Sequence, residues 1–367
     1  MRSSFAPCFG LTLAFVSVAA CGLTGSHQPD HVDGDAETGS ADSSTSEVDA
    51  SSTEGASETT GEDTSTELPL DCAGTSLRLA TFNLYEVGTV GSDAYQAAVA
   101  ILLRIDADIV CLQEVLYYEG PALAALAADA GYTDVVQADR APAIGGPLTN
   151  ACLARVPLDR IASYTASELS PDPGANDVGR DILAVRAHLH DSCRVGVLNV
   201  HLKAGRNETD RFRRQVEVER LLQASDRYRD QRVGEPVFAL GDFNERIDAS
   251  ELGQLFSSVP NDLPQSYRLG TDVVLPLRYH PFERMQDGGF SVGEPLQAGT
   301  DRPYTWDDTS RLDYLFWSGA ELLADEVYYA CRDEDTGGID KAGAPLDCSV
   351  SAAASDHFPV VADFALH

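Results

Sequence analysis

The chain has 367 residues, 58 acidic against 26 basic, for a formal net charge of −32. That balance excludes a protein that grips polyanions by bulk positive charge. The length allows one large domain or two small ones once the N-terminal segment is set apart.

Arg2 and the apolar stretch Phe9 to Ala20 have the layout of a signal peptide, residues 1–20. Val18-Ala19-Ala20-Cys21 resembles a bacterial lipobox, which would make Cys21 the lipidated first residue of the mature chain. The other reading is an ordinary cleaved signal peptide with Cys21 incidental. Acyl chains on one cysteine anchor a protein without spanning the bilayer. No later segment has the roughly 18 apolar residues that a transmembrane helix needs. The expectation is export, with lipid anchoring to the bacterial cell envelope at the outer membrane or cell surface, and otherwise secretion. From residue 21 to 70 the chain is rich in Ser, Thr, Gly, Asp and Glu and has no Lys or Arg. Such a segment cannot bury enough surface to offset its ordering entropy, so a disordered acidic tether is expected.

Residues 71–367 are read as one domain with 46 acidic and 25 basic residues, a net charge of −21. Of its six cysteines, Cys331 and Cys348 flank a polar loop and are the best candidate disulfide for an exported protein. Cys111 and Cys152 lie in apolar runs and read as small core residues. No His/Cys spacing suggests zinc.

The alternating run Leu77 to Leu84 predicts a strand with Asn83 at its end. Ala94 to Ile105 has helical spacing, and the apolar run from Asp108 closes on Glu114, giving strand–helix–strand. Pro121 to Ala130 predicts a helix capped by Gly131. Tyr132–Val136, Ala151–Val156 and Val178–Leu189 read as strands, and 139–149 and 165–177 as loops. Arg180, near a strand head, suits either a phosphate or a surface salt bridge. In the strand Val195–Lys203, alternation puts Asn199, His201 and Lys203 on one side.

Asn207 to Asp230 predicts a long helix with Phe212, Val216, Glu219 and Leu222 along its seam. Its arginines (211, 213, 214, 220 and 227) are expected on a solvated face with Glu217 and Glu219. The following strand, Pro236 to Asn244, should project Asp242 and Asn244 side by side, a pair suited to holding water or a phosphoryl oxygen. Residues 259–305 read as loops whose aromatics cover a small local core or shape a pocket. Arg311–Trp317 is a strand with an Asp313 that is costly unless paired. Ser355-Asp356-His357 precedes a last strand and supplies the partner.

Thr81-Phe82-Asn83, Leu112-Gln113-Glu114, Asn199-Val200-His201-Leu202-Lys203, Gly241-Asp242-Phe243-Asn244, Arg311-Leu312-Asp313-Tyr314 and Ser355-Asp356-His357 stand in one order. In that order the chain, from about residue 75 to its end, resembles the endonuclease/exonuclease/phosphatase superfamily. The resemblance implies a four-layer α/β sandwich, two mostly antiparallel sheets packed face to face with helices outside. It implies a metal-dependent phosphoric ester hydrolase with Asn83, Glu114 and Asp356 at the metal positions. Hard oxygen ligands suit Mg²⁺ or Mn²⁺, with Ca²⁺ also admissible. His357 matches the base, and Asp313 the carboxylate that orients it and raises its pKa toward neutrality. Asp242 and Asn244 would position water or phosphate oxygen. His201 would hydrogen-bond the phosphate or protonate the leaving group. Arg180, Asn199 and Lys203 are candidates for gripping the substrate phosphate.

Two departures point away from abasic-site repair members: Tyr85 stands where they carry Asp, and His201 where they carry an aromatic residue. Three functions stay open at this point. One is an exported nuclease cleaving DNA or RNA, acting as a monomer with no protein partner. The others are a phospholipid or small-molecule phosphodiesterase or phosphatase, and a non-enzymatic surface module.

Overall fold

The computed structural model describes residues 70–139, 146–307, 309–333 and 337–367; the signal peptide, Cys21 and nearly all of the expected linker lie outside the described residues. Strand β1 (Ser76–Asn83) turns Leu77 and Leu79 into one core and Ala80 and Phe82 into another. Ser92 caps α1 (Asp93–Ile105), accepting from the Tyr95 amide, and the helix leads into β2 (Ile109–Leu116). Next come α2 (Gly120–Asp129), β3 (Asp134–Gln137) and β4 (Leu148–Ala154).

The second half opens with β5 (Leu158–Tyr164), α3 (Ala166–Leu169), β6 (Ile182–His190) and β7 (Cys193–His201). Helix α4 (Glu208–Gln231), capped by Asn207, returns the chain to β8 (Val237–Asp242). Short elements follow: β9 (Leu255–Phe256), β10 (Leu277–Arg278), α5 (Pro281–Asp287) and β11 (Ser291–Val292). The chain closes with β12 (Asp313–Ser318), β13 (Ala320–Val327), α6 (Ser349–Ala354) and β14 (Val360–Leu366).

Two six-stranded sheets result, ordered β13-β14-β1-β2-β4-β3 and β11-β12-β8-β7-β6-β5. Leu79, Cys111, Val197, Leu240 and Phe364 belong to the core between them. Residues of α1, α2 and α6 pack on the outer face of the first sheet, and residues of α4 and α5 on that of the second. This is the expected helix–sheet–sheet–helix sandwich. Each sheet holds one parallel pair among the described residues, β1–β2 and β7–β8, and both pairs are joined through a helix. A strand–helix–strand unit brings two strand C-termini to the same edge. The register sets His201 opposite Asp242, and Asp242 opposite Asp313, in one row across three strands.

Three expectations are corrected. Strands β5 and β13 were not foreseen. Both are edge strands with polar, half-exposed faces and a register shift, so neither carries a clean alternation. Cys111 and Cys152 are not free core residues: they face each other across β2 and β4 and form a disulfide, as do Cys72 and Cys193. Cys331 and Cys348 pair as expected. Finally, α4 does not present its arginines to solvent. Arg213, Arg214, Arg220 and Glu217 are buried, because the segment carrying Phe256, Leu277 and Tyr279 folds over the helix and packs on Phe212 and Val216.

Candidate active site

Asn83 stands at the end of β1, and its Nδ2 donates to Glu114 Oε1 and Asp242 Oδ2, each at 3.1 Å. One amide thus joins the first sheet to the second. Its Oδ1 accepts the Tyr85 amide at 3.1 Å, so Asn83 turns its nitrogen to the carboxylates and acts as their orienter. Glu114 has a left-handed backbone (φ 59°), as do Tyr85 (48°), Glu86 (79°) and Asn244 (51°). Such conformations in non-glycine residues persist only where the surroundings enforce them; Glu114 lies at the register shift inside β2, and Tyr85, Glu86 and Asn244 lie just beyond the ends of β1 and β8.

Asp242 is the hub. Its Oδ1 accepts the Asn244 amide at 2.7 Å, and its Oδ2 lies 3.5 Å from His201 Nε2 and 3.9 Å from His357 Nε2. His357 is buried, and its Nδ1 is 2.8 Å from Asp313 Oδ2. Two hydroxyls hold that pair. Thr305 Oγ1 accepts the Leu312 and Asp313 amides, while Ser355 Oγ donates to Asn83 O and accepts the His357 amide. Sequence reasoning assigned no role to Thr305 or Ser355; Ser355 was visible only as a member of the trio before β14. Among the described residues, donor atoms converge within 4.8 Å in two groups, Glu114–His201–Asp242 and Asp242–Asp313–His357.

Other sequence-assigned residues take these places. Asp356 is exposed and accepts the Trp306 indole N–H at 3.1 Å, outside both groups, while Asp242 lies beside Glu114. Asn199 is fully buried between the sheets, donating to Leu112 O and Ala151 O and accepting from Gln113 Nε2, so no donor is left for a phosphate. Alternation gave its face correctly, but that face is the inter-sheet core. Asn244 does not project beside Asp242, because the strand stops at Asp242; its Nδ2 donates to Leu202 O at 3.0 Å and ties β7 to β8. The pKa of His357 rises well past neutrality. Arg180 is buried, with no partner for its Nε among the described residues, and it lies near enough to His201 to lower that imidazole's pKa.

Residues 80–357 match the sequence model of the Endonuclease/Exonuclease/phosphatase family. The chain belongs to that family. Membership of that family makes it a phosphoester hydrolase. No curated protein sequence matches it. Several solved structures are similar. Truncated TDP2 of Caenorhabditis elegans shares 16% identity at a TM-score of 0.44, over 80% of this chain and 98% of that one. The family member from Bacteroides vulgatus shares 17% identity at 0.49, over 80% and 100%. TDP2 of D. rerio, complexed with a single-strand DNA product, shares 14% identity at 0.46, over 79% and 99%.

Endonuclease/exonuclease/phosphatase members are typically divalent-metal dependent, and this donor set fits such an ion. Glu114 Oε1 is held by Asn83 while Oε2 has no hydrogen-bond donor among the described residues. Burial, with the Asp313 and Glu114 carboxylates nearby, raises the Asp242 carboxyl to about 7 against the pull of His357. Three acids crowded in this way are what a dication relieves.

The two histidines are driven apart. Burial, with the positive Arg180, His357 and Lys203 nearby, holds His201 well below its ordinary value, so it is neutral. Burial also pulls on His357, but the Asp313 carboxylate, its hydrogen bond and the Asp242 charge together raise it to about 10. A raised folded-state pKa makes the His357–Asp313 stabilisation fully present below pH 6.5 and lost as pH rises from there through about 10. Proton NMR of the chelator-treated protein should therefore show one imidazole titrating near 10. A midpoint at or below 6.5 for His357 would show that burial outweighs Asp313.

Proposed function

We propose that the protein is a divalent-metal-dependent phosphodiesterase and that its substrate is DNA or RNA, hydrolysed outside the cytoplasm. The observation that carries the reading is the row His201–Asp242–Asp313, completed by His357 on one side and by the open carboxylate of Glu114 on the other. A Mg²⁺ or Mn²⁺ ion held by Glu114 and Asp242 would neutralise a phosphate oxygen and lower the pKa of the nearby imidazolium. His357, fixed through Nδ1 by Asp313, presents Nε2 to the attacking water and takes its proton. Asp242, between the two imidazoles, orients that water. His201, kept neutral, donates a hydrogen bond to the phosphate on the side of the departing oxygen. Arg180 and Lys203 add positive charge where negative charge develops.

A second reading, cleavage of phospholipid headgroups or small phosphodiesters, is favoured by the net charge of −21 on residues 71–367, which a long polyanion would meet unfavourably. Three disulfides support export to an oxidising compartment, in line with a signal peptide and an anchor at Cys21. The deciding assay gives the purified protein Mg²⁺ or Mn²⁺ and offers it plasmid DNA, RNA, sphingomyelin vesicles and bis-p-nitrophenyl phosphate. Plasmid nicking or RNA cleavage abolished by a chelator is expected. Lipid cleavage without nicking would transfer the assignment to the second reading, and inertness toward all four would overturn both.

A further inference from the structure

We infer that Glu217 and Arg214, on the buried face of α4, are positioning residues that set Arg180 and Lys203 for substrate phosphate. The inference rests on the reading that those two cations grip the phosphate. Strand β7 ends at His201 and β6 begins at Ile182, so Lys203 and Gly179 lie beyond the sheet and its ladder of hydrogen bonds. A single carboxylate replaces the missing ladder. Glu217 Oε1 accepts the Gly179 amide at 2.9 Å, and Oε2 accepts the Lys203 amide at 2.6 Å.

One turn earlier, Arg214 takes the other side of the same residue. Its Nη1 donates to Lys203 O and Gly205 O, both at 2.7 Å, and its Nη2 to Glu245 Oε2 at 2.8 Å. Residues three apart on a helix share a face, so one turn of α4 holds the loop before β6, the loop after β7 and the loop after β8. The amide of Lys203 is held by an acid and its carbonyl by a base. Gly179 immediately precedes Arg180. The next turn repeats the device at one remove: Arg220 forks onto Asp177, three residues before Arg180.

Burying such charges is costly, and apolar side chains of similar size would cover a sheet at least as well. Arg214 and Glu217 are 1% and 2% exposed, so solvent does little to relieve that cost. Fixed backbone at the two cations is what the arrangement yields in return. A neutral amide at 217 cannot serve both loops, because its NH₂ would face an N–H.

The test measures KM and kcat on bis-p-nitrophenyl phosphate and, independently of turnover, the dissociation constant of inorganic phosphate. Glu217→Gln is expected to raise KM and the phosphate dissociation constant about tenfold, equivalent to about 1.4 kcal/mol of binding, with kcat changed much less. In an Arg180→Met/Lys203→Met background the same substitution should add nothing, because its targets are gone. Unchanged phosphate binding in Glu217→Gln overturns the inference, and so does an equal effect in both backgrounds, which would mark a purely structural role. If Arg180→Met/Lys203→Met itself leaves phosphate binding unchanged, the phosphate-gripping reading fails and the positioning role falls with it. Should Glu217→Gln not fold, Arg214→Lys keeps the charge but loses the fork; it is expected to weaken phosphate binding likewise, and unchanged binding there also overturns the inference.

Discussion

Replacing His357 with alanine is expected to lower phosphodiester hydrolysis by about 10²- to 10⁴-fold, the range typical for loss of a positioned general base. The geometry behind the expectation is the 2.8 Å contact from Nδ1 to Asp313, which leaves Nε2 facing the centre of the site. The same change strips Asp313 of its partner, and an uncompensated buried carboxylate costs about 3–5 kcal/mol. Activity must therefore be read well below the variant's unfolding midpoint. Asp313→Asn separates the two effects. The amide oxygen still accepts from Nδ1–H, so the ring stays in place, but the charge that lifts its pKa is gone. That variant should show an acid-shifted His357 titration. If His357→Ala kept activity within tenfold of the parent, the base assignment would be wrong.

A second large stability effect is expected away from the chemistry. Arg220 is fully buried on α4 and forks onto Asp177, with Asp272 against its other edge. Asp177→Ala removes one carboxylate and leaves the guanidinium half-paired, at a cost of about 3 kcal/mol, the lower end for breaking a buried pair because Asp272 stays. Replacing both Asp177 and Arg220 with apolar residues should cost less than the single change. Urea unfolding of the three proteins tests this. A single variant within about 1 kcal/mol of the parent would mean that the site relaxes or admits water.

How much of this was legible depends on how local the signal is. The strand ends were, because Asn83, Glu114, His201 and Asp242 each close an apolar run, and a polar residue there breaks the pattern on the page. Asp313 was legible for the opposite reason, as a carboxylate inside an apolar strand. What failed was everything that needs a partner far away in sequence. Asn199 lies on the expected face, but only the facing sheet decides that this face is core. Arg214 and Arg220 look solvated until residues 252–282 are folded over them, and the apolar positions of that segment have no periodicity to announce it. Cys111 and Cys152 become partners only when β2 and β4 are paired in register.

The buried amide pair between the sheets has a consequence for what this scaffold tolerates. Gln113 and Asn199 are both fully buried, and they join β2 directly to β7 through a 2.7 Å hydrogen bond. An apolar interface alone would let two sheets slip by a fraction of a residue at little cost. Here a slip would strand amide donors where no water reaches, at about 1–3 kcal/mol for each group left unsatisfied. The pair works as a dowel, locking the two halves of the sandwich one residue from Glu114 and two from His201. Loops at the rim can therefore drift in length and composition, and the molecule can retune what it accepts, while the spacing between its two halves stays machined.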